Sequence, residues 1–271
     1  KKYFNEVKGT FEFPKLRSDE FSDGTAPERN VLLNKILNMN NASIEEKQNL
    51  ITVYMAMVKF VDDSIGTILD KLEDLNLKRK TIIVFTADHG DFAGEHDMIV
   101  KGGVFYDCLT RVPLIISSEN IISKNKMIDH PVNTIDIMPT VLELQGLNIP
   151  ESFQGHLLPI SDDVEPQKAS FSEYGTGGKP YQLNDLKNLN QPYGYKTLIE
   201  CLWAREAEGR RKMVRTENWK YVFDSMGDKD ELYDLKNDPW EHYNLASKIE
   251  YLKKKNELKS LLLDWMIETE D

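Results

Sequence analysis

A short apolar strand that breaks at once into Asp-His-Gly constrains this chain more than any other feature. Thr81 to Ala87 reads TIIVFTA, and Asp88-His89-Gly90 follows directly. Ile82, Ile83, Val84 and Phe85 form a β-branched and aromatic block that suits a strand buried on both faces. A loop with Gly94, Glu95, His96 and Asp97 comes next, then Lys101 ahead of Gly102-Gly103. A second apolar run, Val112 to Ile116, closes the unit. In an open α/β sheet, ligands bind beyond the carboxyl ends of the strands, which is where Asp88 and His89 fall. Asp88 offers a hard oxygen ligand and His89 an imidazole nitrogen. Adjacent side chains point apart on a strand, so both reach one ion only if the chain turns, and Gly90 permits a turn. Lys101 then brings a compact ammonium toward an anion held there.

Asp-His-Gly after a strand is also an ordinary polar turn. The tripeptide gains meaning from its order with G-E-H at 94–96, Lys101, and R-V-P-L-I at 111–115. That order resembles the sulfatase family of the alkaline phosphatase superfamily, where S/T-D-H/N-G is followed by G-x-H, a lysine and R-V-P. Further segments carry the same resemblance: YMAMVKFVDDSIG with Asp62, D-I-M-P-T at 136–140, SFQGHLLP at 152–159, VRTENWKYVFD at 214–224 and ELYDLKNDPWEHYNL at 231–245.

The resemblance implies that Asp88 and His89 are metal ligands, with Ca²⁺ the family's usual ion and Mg²⁺ or Mn²⁺ as alternatives. It implies that Lys101 contacts the sulfate group. His96 has two readings of equal standing: it donates a proton to the leaving oxygen or positions substrate, or it makes a structural loop hydrogen bond. The family's nucleophile is a formylglycine made from Cys or Ser within C/S-x-P-x-R. No such motif occurs here, and Cys108, in D-C-L-T-R, lacks the proline. Two ligands from one turn cannot hold a hard cation, which wants six or more oxygens. The expectation is therefore the C-terminal portion of a larger sulfatase, inactive alone, whose N-terminal half supplies the nucleophile and the remaining ligands.

Net charge is −11 over 271 residues, which argues against nonspecific nucleic-acid binding. No apolar run is long enough to cross a bilayer, and the start, Lys1-Lys2-Tyr3-Phe4-Asn5, does not read as a signal peptide. Secreted, periplasmic and cytoplasmic locations all stay open. The two cysteines, Cys108 and Cys201, fit no metal spacing and read as buried thiols. His130, His156 and His242 lie in structural or loop contexts.

The fold class expected is α/β: part of an alkaline-phosphatase-like mixed sheet flanked by helices, then a smaller antiparallel subdomain with a C-terminal helix. Residues 1–165 belong to the first and 166–271 to the second, with the boundary in the Ser-, Asp- and Pro-containing stretch from Pro159 to Gln167. Lys1 to Asn40 reads as irregular. Ser43 to Leu75 predicts a helix with a Ser43/Glu46 capping box and one broad apolar face. Val132 to Gly146 predicts a second, with Pro139 near its start and Gly146 as its stop. Residues 169–174, 195–203, 212–216, 219–223 and 231–235 predict short strands, with Glu217-Asn218 as a hairpin turn. Leu245 to Ile267 predicts a closing helix. Gly175 to Arg211 reads equally as a substrate mouth or a surface insertion.

Two rival functions remain. A phosphonate monoester or phosphodiester hydrolase of the same superfamily would use the same half-site on phosphorus. A noncatalytic module would keep the fold alone, but a structural role does not require Asp88, His89 and Lys101 together.

Overall fold

The computed structural model describes residues 1–119, 127–179, 182–188 and 209–269. In chain order the helices are α1 (Lys2–Val7), α2 (Glu28–Leu37), α3 (Ile44–Asp74), α4 (Asp107–Thr110), α5 (Ile137–Leu144) and α6 (Leu252–Glu268). The strands are β1 (Ile83–Thr86), β2 (Leu114–Ser117), β3 (Ser170–Gly178), β4 (Gly209–Arg215), β5 (Trp219–Asp224) and β6 (Glu231–Asp234). The result is the expected mix of α and β with an antiparallel sheet and a C-terminal helix. The predicted strand at 195–203 lies outside the described residues. The chain divides into two compact units.

The first unit comprises Lys1–Arg17, Leu37–Gly102 and Cys108–Ile121. Its long helix, α3, starts as the sequence predicts. The Ser43 hydroxyl accepts from the Glu46 amide at 3.3 Å, and the Glu46 carboxylate accepts from the Ser43 amide at 2.8 Å. This reciprocal cap satisfies two amides that the first helical turn leaves unpaired. The apolar face of α3 does not behave as a core-facing stripe within this unit. Only Ile51 and Thr52 are buried, while Val53, Met57, Val58, Val61 and Ile68 are roughly half exposed.

β1 also departs from expectation. It pairs antiparallel with β2, Ile83 opposite Ser117 and Thr86 opposite Leu114, in a two-stranded sheet. Among the described residues β1 has one hydrogen-bonded neighbour and is not buried on both faces; Phe85 is 37% exposed and Ile115 on β2 59%.

The second unit comprises Ser18–Ile36, Gly103–Asp107 and Ile122–Asp271. Four strands run antiparallel in the order β3-β4-β5-β6. Thr216 and Trp219 close the predicted two-residue turn, with the Thr216 amide donating to the Trp219 carbonyl at 2.8 Å. Strand alternation divides the sheet between two apolar clusters. Val214, Tyr221 and Leu232 pack with Leu258 and Leu262 of α6. Met213 and Val222 meet Phe105 on the other face. Trp265 stacks on Phe171 with centroids 4.8 Å apart. The closing helix begins at Leu252 rather than Leu245; Leu245 is held against β6 instead, its amide donating to the Leu232 carbonyl at 2.8 Å. Ile249, inside the range predicted as helix, lies before α6 and is 80% exposed.

The D-I-M-P-T segment is built around a buried carboxylate. Asp136 accepts from the backbone amides of Asn133 (2.9 Å) and His156 (2.8 Å) and from the Gln167 side chain (2.7 Å). Thr140, one turn on, accepts from the Leu158 amide at 2.8 Å. Pro139 is the third residue of α5, where its missing N–H leaves no helical bond unmade. Gly146, with φ +69°, lies just past the helix end.

The first forty residues are not irregular. Glu28–Leu37 is helical, with Leu32, Leu33, Ile36 and Leu37 buried. Its start is capped from far away: Asp228 accepts from the Glu28 and Arg29 amides, each at 3.0 Å. The capping carboxylate lies two hundred residues away in sequence, so the local pattern does not announce it.

Candidate metal-binding site

Asp88 and His89 follow the C-terminal end of β1, as the sequence predicts, and lie in the first unit with Lys101. The Asp88 carboxylate accepts from the His89 amide at 2.9 Å. Asp88 Oδ2 lies 3.4 Å from His89 Nε2. His89 Nδ1 lies 2.9 Å from the Gly90 carbonyl oxygen, which can only accept, so Nδ1 carries the proton and Nε2 presents a lone pair. Lys101 Nζ contacts that same Nε2. Three of the four proposed site residues therefore converge: a carboxylate, an imidazole lone pair and an ammonium.

The Asp88 carboxyl is held below the usual carboxylate range. The His89 amide bond contributes most, and the Lys101 charge adds a smaller share. A group held ionised and 86% exposed is ready to ligate.

The donor pair fits a divalent cation. Ligands at about 2.4 Å on adjacent corners of an octahedron lie about 3.4 Å apart. Asp88 Oδ2 and His89 Nε2 already stand at that separation, and an ion bound there takes the place of the Lys101 ammonium on Nε2. Two donors define one edge of a coordination shell and no more.

Gly90 is required for a reason other than the turn inferred from sequence. A Cβ built on it would stand 1.9 Å from the Cys108 carbonyl oxygen. Its amide donates to the Leu109 carbonyl at 2.9 Å. The loop thus lies directly on α4 backbone, and only glycine allows that approach. Gly90→Ala is expected to cost about 1–3 kcal/mol through overpacking against backbone. The denaturant midpoint should fall with an unchanged m-value.

His96 belongs to a different cluster. It is 3% exposed, its ring stands edge-on to Phe92, and its donor atoms lie within 4.8 Å of those of Glu95 and Cys108. The loop carrying it is tightly self-bonded: Phe92 N to Val100 O is 2.8 Å and Gly94 N to Met98 O is 3.0 Å. The Lys47 ammonium of α3 donates to both carboxylate oxygens of Asp97, at 2.6 and 2.8 Å. The sequence reading missed this anchor, because its partners stand fifty residues apart and on each alone the charge reads as a solvated face.

The Sulfatase family profile matches residues 9–147. A delta 4,5-hexuronate-2-O-sulfatase of Bacteroides thetaiotaomicron is 32% identical over 229 residues, which is 84% of this chain and 43% of that protein. The sulfatase YidJ of Escherichia coli K12 is 30% identical over 220 residues, 81% of this chain and 38% of that protein. The phosphonate monoester hydrolase of Agrobacterium radiobacter shares the fold with a TM-score of 0.78, at 22% identity, over 97% of this chain and 53% of that one. An α/β chain with a strand-end Asp-His pair and a neighbouring lysine thus shares the fold of that hydrolase. This chain belongs to the sulfatase family, whose members are metal-dependent. The chain spans about two fifths of the length of the curated relatives it matches.

Proposed function

We propose that this chain supplies part of the active site of a sulfuric ester hydrolase. Asp88 and His89 hold the metal, Ca²⁺ as the family's usual ion, and Lys101 contacts the sulfate group. The observation that carries the reading is the convergence of the Asp88 carboxylate, the His89 Nε2 lone pair and the Lys101 ammonium on one loop. When bound, the cation would polarise a sulfate oxygen. The Gly90 carbonyl keeps His89 in the tautomer that offers Nε2. Lys101 neutralises charge growing on the transferring group. His96, buried beside Phe92, positions its loop rather than exchanging a proton with substrate.

The nucleophile and the remaining ligands come from sequence beyond these residues, as a formylglycine-bearing N-terminal half of the same protein. The half-exposed apolar stripe of α3 and the exposed Phe85 and Ile115 support this reading. A layer of the same catalytic domain would cover them and restore the buried strand and helix that the sequence predicts. In this division residues 1–165 complete the catalytic domain and 166–271 form the C-terminal subdomain. The 271 residues alone would bind metal weakly and turn over no ester.

The test is hydrolysis of an aryl sulfate and an aryl phosphonate ester, side by side, by the complete protein. Sulfate turnover well above phosphonate turnover is expected. The reverse preference would move the assignment to phosphonate ester hydrolysis, and inactivity on both would favour a noncatalytic module.

A further inference from the structure

We infer that Glu95, His96 and Cys108 form a second metal site, suited to a thiophilic divalent ion such as Zn²⁺ and separate in chemistry from the Asp88–His89 pair. The inference rests on these three donors and not on the sulfatase reading. All three residues lie in the first unit, and one donor atom from each falls within 4.8 Å of the others.

Neighbouring residues such as Glu95 and His96 ordinarily send their side chains apart. Here the backbone is left-handed at His96 (φ 54°) and again at Asp97 (φ 56°). That bend is held by the Glu95 amide bond to the Phe92 carbonyl at 2.8 Å and by the Lys47–Asp97 ion pair. Left-handed backbone at non-glycine residues costs energy and persists only where the surroundings fix it. Cys108 reaches the same place from α4, which the Gly90 amide anchors through the Leu109 carbonyl. Two independently fixed pieces of backbone thus deliver the donors.

The donor types decide the ion. A thiolate, an imidazole and a carboxylate are the set Zn²⁺ takes, with a fourth position left for water. A hard cation such as Ca²⁺ has no use for sulfur. The charges close as well: one thiolate and one carboxylate balance a divalent ion beside a neutral histidine. Binding converts the Cys108 thiol to a metal-bound thiolate and releases its proton to solvent. Tetrahedral Zn²⁺ places donors about 3.5 Å apart. Donors that already fall within 4.8 Å of one another close to that spacing through small side-chain rotations.

The test uses the full chain and Cd²⁺ as an optical stand-in for Zn²⁺. A thiolate-to-metal ultraviolet charge-transfer band should grow to one equivalent, and Zn²⁺ but not Ca²⁺ should abolish it by competition. Cys108→Ser should remove the band. His96→Ala should weaken binding about 10–100-fold. Cys201→Ser and Asp88→Ala should leave both band and affinity unchanged. A band that survives Cys108→Ser would overturn the site, as would affinity indifferent to His96→Ala. A band lost in Asp88→Ala would place the ion at the other pair and overturn it equally. Far-ultraviolet circular dichroism of each variant confirms that the fold is retained.

Discussion

Lys220→Met is expected to cost about 3–5 kcal/mol of folding stability, the range for breaking a buried ion pair by removing one partner. Lys220 has no exposed surface and sits in the second unit. Its ammonium lies 2.6 Å from Asp107 Oδ1, 2.6 Å from Glu241 Oε1, and donates to the Phe105 carbonyl at 2.7 Å. Arg215 adds a second cation on Asp107, with Nη2 to Oδ2 at 3.0 Å, and Glu241 also accepts from the Asp107 amide. Two anions and two cations thus balance inside the protein. Methionine keeps the length of the side chain but leaves Glu241 as a buried carboxylate without its cation. The denaturant midpoint at neutral pH checks this. Adding Glu241→Gln to Lys220→Met should recover part of the loss, because the orphaned charge is then gone. A single-variant cost below about 1 kcal/mol would mean that the network is not a stability element.

The same cluster has a pH signature. Burial pushes the Asp107 carboxyl up, but Lys220 and Arg215 outweigh it and hold the group at about 2. A carboxylate depressed in the folded state adds stability above its unfolded value, near 4, and loses it as pH falls through about 2. Glu241 has the opposite sign: burial pushes it up, so its ionisation withdraws some stability as pH rises. In Asp107→Asn the acid side of the stability curve should flatten between about pH 4 and pH 2.

This network shows where sequence reading stops. Arg215, Lys220 and Glu241 all lie in segments that carry the family resemblance, yet a pattern of letters does not say that they meet Asp107. Hairpin turns, caps and helix stops are local, so Glu217-Asn218, the Ser43/Glu46 box and Gly146 were readable. The cap on α2 was not, since its carboxylate, Asp228, arrives from two hundred residues away. At the candidate site the donor types were legible, and so was the turn at the strand end. The physical role of Gly90 was not, because the crowding comes from the Cys108 carbonyl, which no reading of Asp-His-Gly contains. The resemblance made His96 a candidate for the same site, with a structural role as its other reading; its left-handed backbone brings its donors within 4.8 Å of those of Glu95 and Cys108.

In the complete protein, Asp88→Ala should lower kcat/KM for an aryl sulfate by about 10²–10³-fold or more, the scale of losing one preorganised electrostatic contact at a reacting group. The reason is geometric: Asp88 Oδ2 and His89 Nε2 form one 3.4 Å edge of the proposed coordination shell, and alanine removes half of it. Part of the loss should return at high divalent-ion concentration, because weakened binding can be offset by mass action. Lys101→Ala should cause a loss of similar size that added metal does not repair, because its ammonium acts on the anion. His89→Asn keeps a ligand and should be the mildest of the three, with ion preference moved toward harder cations. The comparison separates roles that a single inactive variant would leave merged. If Asp88→Ala kept full activity, the metal assignment would fail even with Lys101→Ala inactive. If both variants responded to metal alike, Lys101 would be acting through His89 rather than on the ester, and the lysine would become a positioning residue of the metal loop.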